Sequence, residues 1–165
     1  MSNPLLNLTS LPPFKQIEPS HMVEAIETII QDSKVAINEL TDKLKPDSIT
    51  WDNFVKPLED INDRLDRAWS PISHLNSVAN SDEVREAYNA CLPLLSDYGT
   101  EMGQHLGLYN AVKALNGKAE ALNLDSVQKK ILKDDLRDFK LSGVSLSDDK
   151  KKRYGEIQKR LSELT

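Results

Sequence analysis

The sequence holds a single cysteine, Cys91, among 165 residues. No intrachain disulfide can form, and a free thiol suits a reducing compartment, with the cytoplasm as the simplest reading. Nor does any apolar run approach the ~18 residues that span a bilayer, and the N-terminal MSNPLLNLTSLPPF lacks both the basic n-region and the continuous apolar stretch of a secretory signal. Membrane partners and secretion are therefore not expected. Positive charge is also in deficit: 21 Lys and Arg stand against 26 Asp and Glu, a net charge of -5. A phosphate backbone would be repelled on average, so nucleic acid is not an expected partner.

Residues that carry chemistry are equally sparse. His21, His74 and His105 lie far apart, so no His-x-x-x-His pair can grip a metal from one helix face. Glu101 and His105 share a face at i and i+4, a spacing typical of ordinary surface contacts. His74 follows Pro71 and reads as a hydrogen-bonded core or interface histidine. Cys91 falls on an apolar stripe with no Cys-His-Asn neighbourhood, where a thiol acts as a small hydrophobe. The basic run Lys150 to Arg153 is balanced by Asp148 and Asp149 at helical spacing and reads as a solvated face. Gly99, Gly103 and Gly107 recur every four residues. Glu101, Gln104 and His105 rule out a membrane context, which leaves close approach of another helix. There is no Gly-rich phosphate loop and no nucleophile elbow. On these grounds the sequence offers no catalytic, cofactor-binding or metal-binding residue.

What is present is helical periodicity. A hydrophobic fraction of 39% with 28% charged residues is too apolar for a disordered chain, and this length builds one domain with a real core. Residues 1–19 are rich in Pro, Leu and Asn, show no period and predict an extended arm. Ser20 is the expected N-cap of a first helix of about 24 residues, striped by Val23, Ile26, Ile30, Ile37, Leu40 and Leu44 and ended by Lys45-Pro46-Asp47. Thr50 caps a second, long element whose stripe runs from Phe54 to Ala79, with bends expected at Pro57 and Pro71. Asn80 or Ser81 opens a third, Asn80 and Glu83 having the spacing of a capping box. Its stripe from Val84 to Val112 predicts one helix closed by Asn116-Gly117. Asp125 with Gln128 opens a fourth helix that stops at Ser142-Gly143. Ser147 caps a fifth, striped by Tyr154, Ile157, Leu161 and Leu164, which carries no stop signal before Thr165.

No segment shows the alternation of a strand. The expected fold is all-α: a bundle of about five mostly long antiparallel helices, with an extended N-terminal arm and proline kinks.

Three longer blocks say more. LPPFKQIEPSHMVEAI, WSPISHLNSVANSDEVREAYNACLPLLSDYGTEMGQHLGLYNAV and LRDFKLSGVSLSDDKKKRYGEIQKRLSEL together resemble, in order and spacing, the N-terminal region of the thimet-oligopeptidase family of zinc metallopeptidases. The resemblance covers nearly the whole chain. It implies that residues 20–165 form the helical N-terminal domain of a larger peptidase, interrupted inside its last helix, and that the remainder of the polypeptide is a partner.

It also implies a cytoplasmic enzyme acting on short peptides, with zinc held by a His-Glu-x-x-His helix and a downstream Glu, and this region forming part of the wall of the substrate channel. No segment reads His-Glu-x-x-His, so no catalytic or metal residue carries over, and the isolated chain is expected to be inactive and without a cofactor of its own. Ser20 departs from the family, where an acidic residue before the histidine is common; as an N-cap Ser is at least as good. The alternative is a freestanding helical module that docks a partner through an exposed apolar face.

Overall fold

A computed structural model describes residues 3–162 and 164. Six α-helices account for most of them: α1 (Pro19–Lys43), α2 (Lys56–Val78), α3 (Asp82–Gly103), α4 (Leu106–Gly117), α5 (Ser126–Leu141) and α6 (Asp148–Ser162). There is no strand among the described residues, so the all-α expectation holds, with six helices in place of about five.

The extra helix comes from the third stripe. Its apolar period continues from Val84 to Val112, yet α3 stops at Gly103 and α4 begins at Leu106. His105 makes the break: it adopts an extended backbone, and its Nδ1 accepts the Leu108 N–H at 3.1 Å, an N-cap in a residue type not usually chosen for one. Its Nε2 lies 3.0 Å from the Asn38 side-chain oxygen on α1. With Nδ1 accepting, Nε2 carries the proton, and the ring joins the new helix start to α1.

The first helix also starts differently from expectation. Glu18, not Ser20, is the N-cap; Pro19 occupies the first helical position, where its missing N–H is no loss, and the Glu18 N–H donates to His21 Nδ1 at 3.1 Å. At the next start Thr50 and Asn53 exchange backbone-to-side-chain bonds (2.8 and 3.2 Å) around a π-helical turn at Trp51–Val55. Pro57 then falls in the first turn of α2, where it disrupts little, whereas Pro71 sits within α2 and is buried. Ser81, rather than Asn80, caps α3; Asn80 bonds back to the Asn76 carbonyl instead of forming a box with Glu83. Asp125 and Gln128 form the expected capping box of α5. Gly143 follows α5 at φ +85°, a left-handed backbone that glycine adopts without a Cβ penalty. The expectation that the last helix runs on past Thr165 falls on residues outside those described.

Packing divides the core in two, with α1 as the shared spine. At one end Met22, Ala25, Ile26 and Ile29 of α1 meet Ala68 and Ile72 of α2 and Cys91 and Tyr98 of α3. Trp69 and Tyr88 stack across the α2–α3 seam with centroids 4.9 Å apart. The N-terminal arm closes this end: Leu5 and Ile17 are buried, and the Asn3 side-chain amide donates to the His21 carbonyl at 2.8 Å. At the other end Ile37 of α1 joins Ile49, Phe54, Val55, Leu108, Val112, Leu115 and Leu132. Each fully buried aliphatic or aromatic side chain contributes about 1.5–3 kcal/mol relative to exposure. Met102 touches both clusters. The helix break after Gly103 is what allows one continuous apolar stripe to serve two cores: α3 packs on α1, α2 and α6, whereas α4 turns to pack on α5 and α1.

Candidate functional site

The best-formed apolar concavity opens over the second core, between α1, the start of α2, the end of α3, α4 and α5. It has a volume of about 370 Å³, at the small end of the ~300–1,000 Å³ range for ligand sites. Its floor is apolar and comes from buried core residues, chiefly Ile37, Val55, Leu108 and Val112. Its mouth is polar: Glu59 and Asn62 from α2 face Asp135 and Asp138 from α5, with Ser142 at one end. No Lys or Arg lines it.

The α5 carboxylates divide by environment. Asp134 accepts from Lys130, and that bond, with the nearby Lys130 and Arg137 charges, lowers its pKa. Asp138 is paired with Arg137 at 2.9 Å. Asp135, half-buried between them on the cleft side, makes no hydrogen bond or ion pair among the described residues. Its pKa is raised, first by burial and then by the like charges of Asp138, Asp134 and Glu59. A carboxylate held against an apolar floor among other acids is poised to accept a cation.

The histidines and the cysteine do not converge on this cleft. His21 and His105 serve helix starts. His74 is exposed rather than in a core, and lies against the Phe14 ring with centroids 5.4 Å apart. Glu101 pairs with Lys34 of α1 rather than with His105, because α3 ends between them. Cys91 is buried in the first core, where desolvation pushes its thiol up to about 11. On α6, Arg153 pairs with Glu156 at 3.0 Å instead of with Asp149. The spaced glycines separate into distinct cases. A Cβ on Gly103 would lie 2.7 Å from Ser142 Cβ and one on Gly107 3.2 Å from Thr41 Cβ, so α5 and α1 approach closely there, whereas Gly99 has nothing within 4 Å.

The residues present do not fit the zinc that the family resemblance implies. The sequence contains no His-Glu-x-x-His, and among the described residues no three His, Cys, Asp or Glu side chains converge as metal ligands would. No helix among the described residues is long and apolar enough to cross a membrane. The cleft acids escaped the reading of the sequence because Glu59 and Asp135 are far apart along the chain. The visible signal was the run DDLRD at 134–138, which places Asp135 and Asp138 at i and i+3 on one face of α5.

Comparison with known proteins extends over the whole chain. A family model described as the neurolysin/thimet oligopeptidase N-terminal domain matches residues 26–151. Oligopeptidase A of Haemophilus influenzae is 57% identical over 99% of this chain, and oligopeptidase A of Escherichia coli is 47% identical over the same share. A probable cytosolic oligopeptidase A of Arabidopsis thaliana is 30% identical, again over 99% of the chain. The chain spans only 24% of the two bacterial relatives and 23% of the plant one. The match to the family model takes in all of α2 to α5 and most of α1: the chain belongs to the neurolysin/thimet oligopeptidase N-terminal domain family.

Proposed function

We propose that this chain is the N-terminal helical domain of a cytoplasmic, zinc-dependent oligopeptidase of the oligopeptidase A kind, which hydrolyses short peptides. The observation that carries the reading is identity of 47–57% across 99% of the chain to bacterial proteins bearing that name. Zinc, with its power to activate water and polarise a carbonyl, would be held by other parts of the polypeptide, since the sequence holds no His-Glu-x-x-His and no cluster of metal ligands forms among the described residues. The task left to this domain is steric: two cores clamped on one spine helix make a stiff partial wall for a channel that admits flexible peptides and excludes folded proteins. Such a task asks for no reactive side chain, in keeping with a buried thiol and with histidines engaged in helix starts or a surface ring contact.

The test is an immunoblot of the source cell's lysate with antibody against this chain, paired with hydrolysis of a quenched peptide. A band several-fold heavier than 18.6 kDa, whose purified species cleaves the peptide and loses activity on chelation, is the expected result. A band at 18.6 kDa alone would overturn the reading in favour of a freestanding interaction module. Chelator-sensitive cleavage by this chain alone would overturn the claim that its role is structural.

A further inference from the structure

The cleft over the second core combines two properties seldom wanted together in a core-facing concavity: an apolar floor and an acidic rim without a counter-charge lining it. A neutral apolar occupant would strand Asp135, the half-buried rim carboxylate that makes no hydrogen bond or ion pair among the described residues, and a small inorganic cation would leave the apolar floor unfilled. The chemistry that satisfies both is an amphipathic cation, with a hydrocarbon stem along Val55 and Leu108 and a charged head at Asp135 and Glu59. Arginine and lysine side chains have that form, and arginine's planar fork can meet two carboxylates at once.

We infer that this cleft is a docking site for the basic side chain of a short peptide, with Asp135 and Glu59 as its charged contacts and Ile37, Val55, Leu108 and Val112 as its apolar bed. The inference rests on the peptidase reading only in taking a peptide as the occupant. At about 370 Å³ the cleft has room for one or two residues, not for a helix laid along it. The site would select which peptides linger beside the channel wall without taking part in bond cleavage.

The experiment is an amide-resonance titration of the isotope-labelled chain with N-acetyl-leucyl-arginine amide, against the citrulline analogue that keeps the shape and removes the charge. Shifts should localise to Gly103, Leu108, Val112, Asp135 and Asp138, with the arginine probe binding about fivefold tighter, the upper end for a partly exposed ion pair. Asp135→Asn and Glu59→Gln should each erase the preference, while Glu86→Gln, on the exposed side of α3, should leave it intact. Because Asp135 has no hydrogen-bond partner, Asp135→Asn should stay folded, so a lost preference with an unchanged or raised melting temperature cannot be ascribed to misfolding.

Equal affinity for the two probes, or no shift at these amides, would overturn the proposal. Concentration-dependent shifts there without probe would assign the cleft to a second copy of the chain. Binding to this chain but not to an intact parent would assign it to the parent's remaining polypeptide. Either assignment would overturn the peptide as occupant, and neither would touch the family reading.

Discussion

Replacing Gly103 by alanine should destabilise the protein, although the same change four residues earlier should stabilise it. The added Cβ would lie 2.7 Å from Ser142 Cβ and 2.8 Å from its Oγ, against the 3.5–4.0 Å of a normal contact between carbons. Neither side yields easily. Ser142 Cβ is fixed to its backbone, and the Ser142 carbonyl accepts the Gln104 side-chain amide at 3.0 Å, tying the end of α5 to the end of α3. Overpacking of this kind costs roughly 1–3 kcal/mol, from which alanine's helical advantage over glycine removes about 0.5–1 kcal/mol.

The net loss is centred on about 1 kcal/mol and reaches at most about 2.5 kcal/mol, the central value being roughly 2–4 °C in melting temperature at this chain length. Gly99→Ala meets nothing within 4 Å and should gain up to about 1 kcal/mol. The assay is urea unfolding followed by far-ultraviolet circular dichroism on Gly103→Ala, Ser142→Gly and the double variant. A clash between these two residues requires a coupling of about 1–2 kcal/mol, the double variant recovering much of what Gly103→Ala loses. Additive losses, or a Gly103→Ala protein as stable as the parent, would refute the reasoning.

Three further outcomes are expected. The Cys91 thiol, buried and pushed up to about 11 by desolvation and then by the Glu27 charge, should resist a disulfide reagent at about pH 8 until urea unfolds the chain; rapid stoichiometric labelling of the native protein would contradict its placement. Asp135→Asn should raise the melting temperature near neutral pH. The native carboxyl has a raised pKa, so the unfolded state loses its proton first and ionisation weakens folding as pH rises from the ordinary carboxylate range through the native value. The gain should therefore be complete above that window and vanish at about pH 3. The other groups facing the position, Glu59 on α2 with Asp134 and Asp138 on α5, are common to both proteins, so a pH-independent difference would refute the assignment. Finally, His21→Ala should lose about 0.5–1 kcal/mol through the exposed Glu18 N–H it leaves behind, whereas Ser20→Ala should change stability by less than about 0.5 kcal/mol; the reverse order would restore Ser20 as the cap.

The division between what could be read along the chain and what could not follows the range of the forces involved. Helical period, Thr50 and Asp125 as caps, and Gly143 as a stop are decided within about a turn of backbone, so local residues carry them. The family was legible for a related reason: long blocks such as SHMVEAI and WSPISHLN are specific words even when each residue in them is chemically ordinary.

The helix break at His105 was hidden because the apolar period runs straight through it. Only the need to cover two cores, and the Asn38 side chain waiting on α1, make a capped turn better than a continued helix. The first cap moved from Ser20 to Glu18 because Pro19 suits the first helical position and His21 reaches back to the Glu18 N–H. Ser142 is 39 residues from Gly103, so no spacing rule distinguishes Gly103 from Gly99. The acid-rimmed cleft is likewise a tertiary product. Glu59 and Asp135 repel one another, and nothing along the sequence asks them to meet. Burial of the second core, whose Leu108 and Val112 floor the cleft, outweighs that repulsion and sets the carboxylates around one opening. Local chemistry determined most of the helices, and the wording of long blocks their relatives; the packing of two cores on one spine decided the break at His105 and where a ligand could sit.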